Sequence, residues 1–200
     1  ENVYLNAKPS TKVLLVVITS NRGLCGGFNA NVVKKTLSLI KNEFGKDSIF
    51  NTVDLYIVGK KGGDFFKKSD LNVVGTHNEI FSDLNHGSAS LLAEELINLF
   101  ITGEYSHIEL VYNQFKNAAV QILTNEQFLP IKIGDDTDKE EKSSMHTFTD
   151  YIFEPTKEHL VKVLIPKSLK LQFFKAILDS VASEHGARMT AMHKATDNAT

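Results

Sequence analysis

A row of positions near the end of the chain restricts what the sequence can fold into. Leu171, Phe174, Leu178, Val181, His185, Arg188, Met192, Ala195 and Ala199 recur at alternating gaps of three and four. That is the heptad spacing of a helix packed lengthwise on another helix. The row opens on large apolar side chains and closes on small or polar ones. Ala182, Gly186, Ala187, Ala191 and Ala195 crowd the same segment, and small residues let two helix axes come close. Glu184, Arg188, Lys194, Asp197 and Asn198 spread polarity over most of the circumference. That distribution suits a two-stranded shaft within a larger assembly; a helix buried in the domain's own core is the competing reading. The sequence holds no second helical seam of matching length, and neither Gly nor Pro closes the segment at Thr200. The helix is therefore expected to be half of a coiled coil whose other strand lies outside these residues. Without that strand, positions beyond about Val181 should be exposed or frayed, or should self-associate through the bare stripe.

The rest of the chain alternates strand and helix patterns. Lys12 to Thr19 holds the unbroken apolar run Val13 to Ile18 and reads as a strand buried on both faces. A glycine-rich turn, Ser20 to Gly27, leads into a helix from about Asn29 to Phe44, with Val32, Val33, Leu37, Ile40 and Phe44 inward and Gly45 as its stop. Val53 to Val58 is a second strand, and Gly59 to Lys68 a short helix with Phe65 and Phe66 inward. Leu71 to Val74 is a third strand. Ser88 to Ile101 is an amphipathic helix packing through Leu91, Leu92, Leu96, Leu99 and Phe100. Ser106 to Phe115 and Val120 to Leu129 are two further strands. The turn at Lys116-Asn117 is too short for a parallel crossover, so that pair is antiparallel.

The pattern predicts a three-layer α/β/α fold with a mixed, mostly parallel five-stranded sheet whose last strand is reversed. Gly134 to Thr149 reads as an acidic surface loop, and Asp150 to Glu154 as a short extended return. Pro155 opens the terminal helix from about Thr156, and Pro166 should kink or split it. Two parts follow: a Rossmann-like globular domain over 1–155 and a helical segment over 156–200.

Charge and cysteine content narrow the functional classes. Lys and Arg number 22 against 24 Asp and Glu, a net charge of -2, which argues against nucleic acid as the main partner. The single Cys25 excludes an internal disulfide framework. No apolar run reaches the roughly 18 residues of a membrane span, so direct membrane insertion is not expected.

Chemical motifs are sparse. Strand, glycine turn and helix form the setting of phosphate-binding loops, yet the spacing Gly23-x-x-Gly26-Gly27 is neither G-x-G-x-x-G nor a P-loop. A tight turn needing positive φ is the plainer reading, with an α/β nucleotide-binding enzyme using Gly23 to Gly27 as the alternative. Cys25 at a helix start could be a nucleophile, but no His partner is recognisable beside it, and an incidental thiol is favoured. The histidines have no zinc spacing, and Asp135 and Asp136 read as solvated surface charge. No catalytic, cofactor-binding or metal-binding residues are assigned.

Two long segments carry a family resemblance. Ile18 to Asn29, ITSNRGLCGGFN, resembles the start of the globular domain in the gamma-subunit family of rotary (F-type) ATP synthases. Ala182 to Met192, ASEHGARMTAM, followed by Ala195 to Ala199, ATDNA, is similar to that family's C-terminal signature. Tyr151 to Pro155 and Leu164 to Phe174 fit the lead-in to that helix.

The resemblance implies a non-catalytic central-stalk subunit. It would couple proton- or sodium-driven rotation of a membrane ring to conformational change at the beta-subunit sites. The alpha and beta subunits, the epsilon subunit and the c-subunit ring would be its partners. Its place would be peripheral, on the inner face of an energy-transducing membrane, with the bacterial cytoplasmic membrane favoured over the mitochondrial inner membrane. By the same resemblance Arg188 is the first candidate for a contact with beta or with an antiparallel N-terminal helix, followed by Glu184, Met192, Thr196, Asp197 and Asn198. Gly186 stands where the family often has Ala or Ser. A helical glycine costs about 1 kcal/mol relative to Ala unless close packing requires it. A free-standing interaction module working through the terminal helix is a third reading.

Overall fold

The computed structural model describes residues 3–5, 9–44, 50, 52–132 and 156–199. Five strands form one sheet in the order β3-β2-β1-β4-β5. They are β1 (Lys12–Ile18), β2 (Thr52–Val58), β3 (Asn72–His77), β4 (His107–Phe115) and β5 (Gln121–Leu129). The first four run parallel and β5 pairs antiparallel with β4. The helices are α1 (Phe28–Asn42), α2 (Lys60–Phe66), α3 (His86–Thr102) and α4 (Lys157–Asp197).

The pleat of β1 explains its unbroken apolar run. Val13, Leu15 and Val17 enter one core with Val32, Val33 and Leu39 of α1 and Phe66 of α2. Leu14, Val16 and Ile18 enter the other, with Ala93, Leu96 and Phe100 of α3 and Leu169, Phe173, Ala176 and Ile177 of α4. A strand buried on both faces has no polar positions to spare.

Several expected helix faces are rotated. On α3 the sheet is met by Ala89, Ala93, Leu96, Ile97 and Phe100, while Leu91 is 67% exposed. Alanines let the helix approach closely, so they take the inward positions that hydrophobicity alone assigns to leucines. On α1 Leu37 is exposed and Thr36 buried. The Thr36 hydroxyl donates to Val32 O at 2.9 Å, which makes its burial inexpensive. On α2 only Phe66 turns inward, and Phe65 stays half exposed.

Pro166 does not split α4, which runs through it as one helix. A proline removes a single ladder bond, and packing against the core by Ile165 before it and Leu169 after it holds the turns in line. Thr156 caps α4, its side chain accepting from His159 N at 3.2 Å. The acidic segment 134–149 with Asp135 and Asp136, the return expected at 150–154 and the stop at Gly45 lie outside the described residues.

Candidate interaction site on the terminal helix

At a rise of about 1.5 Å per residue, α4 is roughly 60 Å long. Leu169, Phe173, Ala176, Ile177, Ser180 and Ser183 form its buried stripe against the sheet. The heptad row lies beside that stripe and is left bare at its larger members. Leu171 is 60% exposed, Leu178 44% and Met192 42%. Phe174 and Val181 are partly covered at the edge of the core. One stripe of this helix is packed in the domain's own core, and a second stripe is left bare.

The helix is not exposed from Val181 onward. Ser183 and Gly186 are buried, and the side chains from Met192 to Ala199 are all exposed. Contacts to β4 and to the β4–β5 turn account for the extra turns of coverage. Ser183 Oγ donates to Asn113 O at the end of β4, at 3.0 Å. The turn between β4 and β5 lies against Gly186, where an added Cβ would sit 2.7 Å from Ala118 O. Close packing therefore explains the glycine in this helix.

Of the site candidates, Arg188 and Glu184 are brought together, and Met192, Thr196, Asp197 and Asn198 lie on the exposed end. Arg188 Nη2 reaches Glu184 Oε1 at 2.5 Å, an i,i+4 pair. The same guanidinium donates from Nε to Gly23 O at 3.3 Å and from Nη2 to Arg22 O at 3.5 Å. Arg188 thus contacts the glycine turn of its own chain. Sequence reasoning missed this link, since nothing local pairs position 188 with position 23.

In the glycine turn, Leu24 (φ 63°) and Gly26 (φ 57°) take positive φ, whereas Gly27 does not. Cys25 is buried, with Asn29 Nδ2 at 3.2 Å from its Sγ. In an open α/β sheet ligands bind where the strand order reverses, here between the ends of β1 and β4. That crevice is crossed by the protein's own bonds: Asn113 Nδ2 donates to Phe28 O at 3.3 Å, and Ser183 and Arg188 reach in from α4. A cavity of about 250 Å³ lies beside it, lined in part by Gly26, Gly27, Asn31, Gln121, Thr190 and Lys194.

Further down, β5 and α4 share a polar junction. Buried Tyr112 donates to Glu126 Oε2 at 2.8 Å, and Gln172 Nε2 donates to Glu126 Oε1 at 2.7 Å. Burial, then the bond to Glu126, raises the Tyr112 phenol well above its ordinary value. Burial also raises Asp179; Lys175 opposes the rise and Glu126 adds to it. Among the described residues no cluster of three or more His, Cys, Asp or Glu side chains could hold a metal, and no helix is long and apolar enough to cross a membrane.

Comparisons with known proteins agree along the whole chain. A family model described as ATP synthase matches residues 1–200. An ATP synthase gamma chain of Christiangramia forsetii is 52% identical over 197 residues, covering 98% of this chain and 65% of that protein. One from Flavobacterium johnsoniae is 53% identical with the same coverage, so the chain spans 65% of the length of these two relatives. Among solved structures, a chain of the Tetrahymena thermophila mitochondrial ATP synthase central stalk and c-ring has a TM-score of 0.67 at 22% identity, covering 98% of this chain and 82% of that one. A chain of the Euglena gracilis mitochondrial ATP synthase rotor gives 0.66 at 23%, covering 98% and 74%. These two share its fold. With a family model matched from the first residue to the last and gamma chains at half identity, the chain belongs to the ATP synthase family.

Proposed function

We propose that this chain is the central-stalk rotor part of a rotary ATP synthase gamma chain, a coupling element with no active site of its own. The bare heptad row of α4 carries the reading. Leu171, Leu178, His185 and Met192 are exposed at seven-residue, two-turn spacing on a helix whose other stripe is packed against the sheet. Such a row is what a second shaft helix would cover. The 156–200 segment then serves as one strand of the shaft, and the 1–155 domain as the body that turns with it. The gamma-chain relatives and the rotor and central-stalk neighbours support this reading.

The partners are the alpha and beta subunits around the shaft, with the epsilon subunit and the c-subunit ring at the domain. Rotation of the ring, driven by protons or sodium ions, turns the shaft, and catalysis belongs to beta. Glu184, Arg188, Met192, Thr196, Asp197 and Asn198 are the interface residues, with Arg188 aimed by its bonds to the glycine turn. The place is peripheral, on the inner face of a bacterial cytoplasmic membrane, which the bacterial relatives favour. A nucleotide-binding role is disfavoured because α4 side chains occupy the crevice at the strand ends.

Co-purification of the full-length protein with alpha and beta, followed by an ATPase assay, tests the reading. A stable complex whose hydrolysis depends on this subunit is expected. Failure to co-purify, or saturable micromolar binding of ATP or NAD at the Gly23 turn, would overturn it.

A further inference from the structure

We infer that Ser183, Gly186 and Arg188 form a clamp that locks α4 to the α/β domain against rotation about its own axis, so that torque passes between them at this level. The role in torque rests on the rotor reading; the clamp itself rests on contacts. Three buried or half-buried contacts fall within six residues of α4, shortly before the exposed run that starts at Met192. Ser183 Oγ is bonded to Asn113 O at 3.0 Å, and Ser183 is wholly buried. Gly186 lies so close to the β4–β5 turn that a Cβ there would be 2.7, 3.1 and 3.2 Å from Ala118 O, Cα and C. Those atoms are backbone and cannot swing aside. Arg188 holds Gly23 O and Arg22 O on the β1–α1 turn, and Glu184 fixes its guanidinium.

The directions of these contacts matter more than their number. At about 100° per residue, Arg188 projects roughly 140° round the helix from Ser183 and about 160° from Gly186. The helix is gripped from two sides by loops that leave different strands. A helix held on one side can roll; one held on opposing sides cannot roll without breaking both sets of contacts. The loops are stiff in turn. Asn117 and Val120 exchange backbone bonds at 3.2 and 3.3 Å, and Asn117 Oδ1 accepts from Ala119 N and Val120 N. Asn113 Nδ2, bonded to Phe28 O, ties the end of β4 to the start of α1. Ser183, Gly186 and Arg188 are therefore positioning residues, acting on the exposed end of the helix through the axis they hold.

Two measurements on Gly186→Val and Ser183→Ala decide the matter. In the full-length protein alone, hydrogen exchange is expected to quicken together at residues 183–190 and in the Arg22–Gly23 turn, because loosening one side frees the other. Unchanged exchange in the Arg22–Gly23 turn would overturn the clamp, whatever the protein's function. In the assembled synthase in membrane vesicles, ATP hydrolysis should persist while ions pumped per ATP fall several-fold for Gly186→Val and less for Ser183→Ala. A pumping ratio equal to wild type in both variants would overturn the role in torque. Ser183→Ala adds no volume, so it decides alone if Gly186→Val does not assemble. Failure of the unaltered protein to join alpha and beta would sink the rotor reading and leave the exchange test of the clamp standing.

Discussion

Along α4, Phe173 and Leu171 stand two residues apart and meet opposite fates. Phe173 is fully buried beside Phe128 of β5, their ring centroids 6.2 Å apart, and Leu171 is 60% exposed. The same holds for Ile177, buried, and Leu178, 44% exposed. Neighbouring apolar residues on one backbone differ only in phase round the helix. The buried stripe shows how the sheet holds the helix. The bare stripe shows where the sheet ends its claim and another surface can begin. A chain with only the first need would place polar residues on the second.

Substitutions on the two stripes should separate these roles. Phe173→Ala removes a large ring from a closed core and is expected to cost about 3–5 kcal/mol in urea unfolding of the isolated chain. Leu171→Ala should stay within about 0.5 kcal/mol there, since the side chain is already in water. On the rotor reading its effect should appear instead in the full-length protein, as weaker packing of the second shaft helix on this stripe. Equal losses of stability for the two would erase the distinction between the stripes. Gly186→Ala comes next. Relief of a helical glycine favours it by about 1 kcal/mol, and crowding against a fixed backbone opposes it by about 1–3 kcal/mol. The close approach to Ala118 O decides the sign. A net loss is expected, and a raised midpoint of thermal unfolding would show that the β4–β5 turn can yield.

The sequence made the repeating patterns legible and left the cross-chain contacts hidden. The all-apolar run at Val13–Ile18 announces a doubly buried central strand, and the short Lys116-Asn117 turn announces the antiparallel edge. Both are local facts of spacing. α3 starts at His86, two residues before the expected Ser88; Asn85 and Ser88 form a capping box, the local signal for that start in the Asn-His-Gly-Ser string. Ala89 and Ala93 face the sheet from α3 because close approach, not hydrophobicity, selects them, and a pattern of large apolar residues does not show it. The candidate site was half legible. Its residues lie on a recognisable segment, but Arg188 meeting Gly23 O, and Gly186 meeting Ala118, join positions far apart in the chain. Spacing along one segment carries no information about which loop will lie beside it.

Smaller effects lie on the junction between the stripes and β5. Tyr112→Phe keeps the ring and removes the hydroxyl that donates to Glu126 Oε2 at 2.8 Å. Because Gln172 still holds the other carboxylate oxygen, the expected loss is about 1–2 kcal/mol, read from the urea midpoint at neutral pH. A loss as large as that of Phe173→Ala would mean that the polar junction, rather than the apolar stripe, fastens α4 to the sheet.

Asp179 marks the boundary itself, between exposed Leu178 and buried Ser180. Burial lifts its carboxyl above the ordinary 3.8; Lys175 on the same helix opposes this and Glu126 on β5 reinforces it. A raised carboxyl in the folded state means that folding takes up a proton in the interval between the ordinary and the raised value. Stability therefore declines as pH rises through that interval and stays lower above it. Asp179→Asn removes the penalty. Since the group is only partly buried, the gain at neutral pH should be no more than about 0.5 kcal/mol. It should vanish as pH falls below about 3.9, where both states are protonated. Urea midpoints of the two proteins across that range should converge at the acid end. If Asp179→Asn is instead the less stable protein at neutral pH, with the gap closing on acidification, Asp179 is held by Lys175 as a favourable charge, and the boundary between the stripes is stabilised by an ion pair rather than weakened by a buried carboxylate.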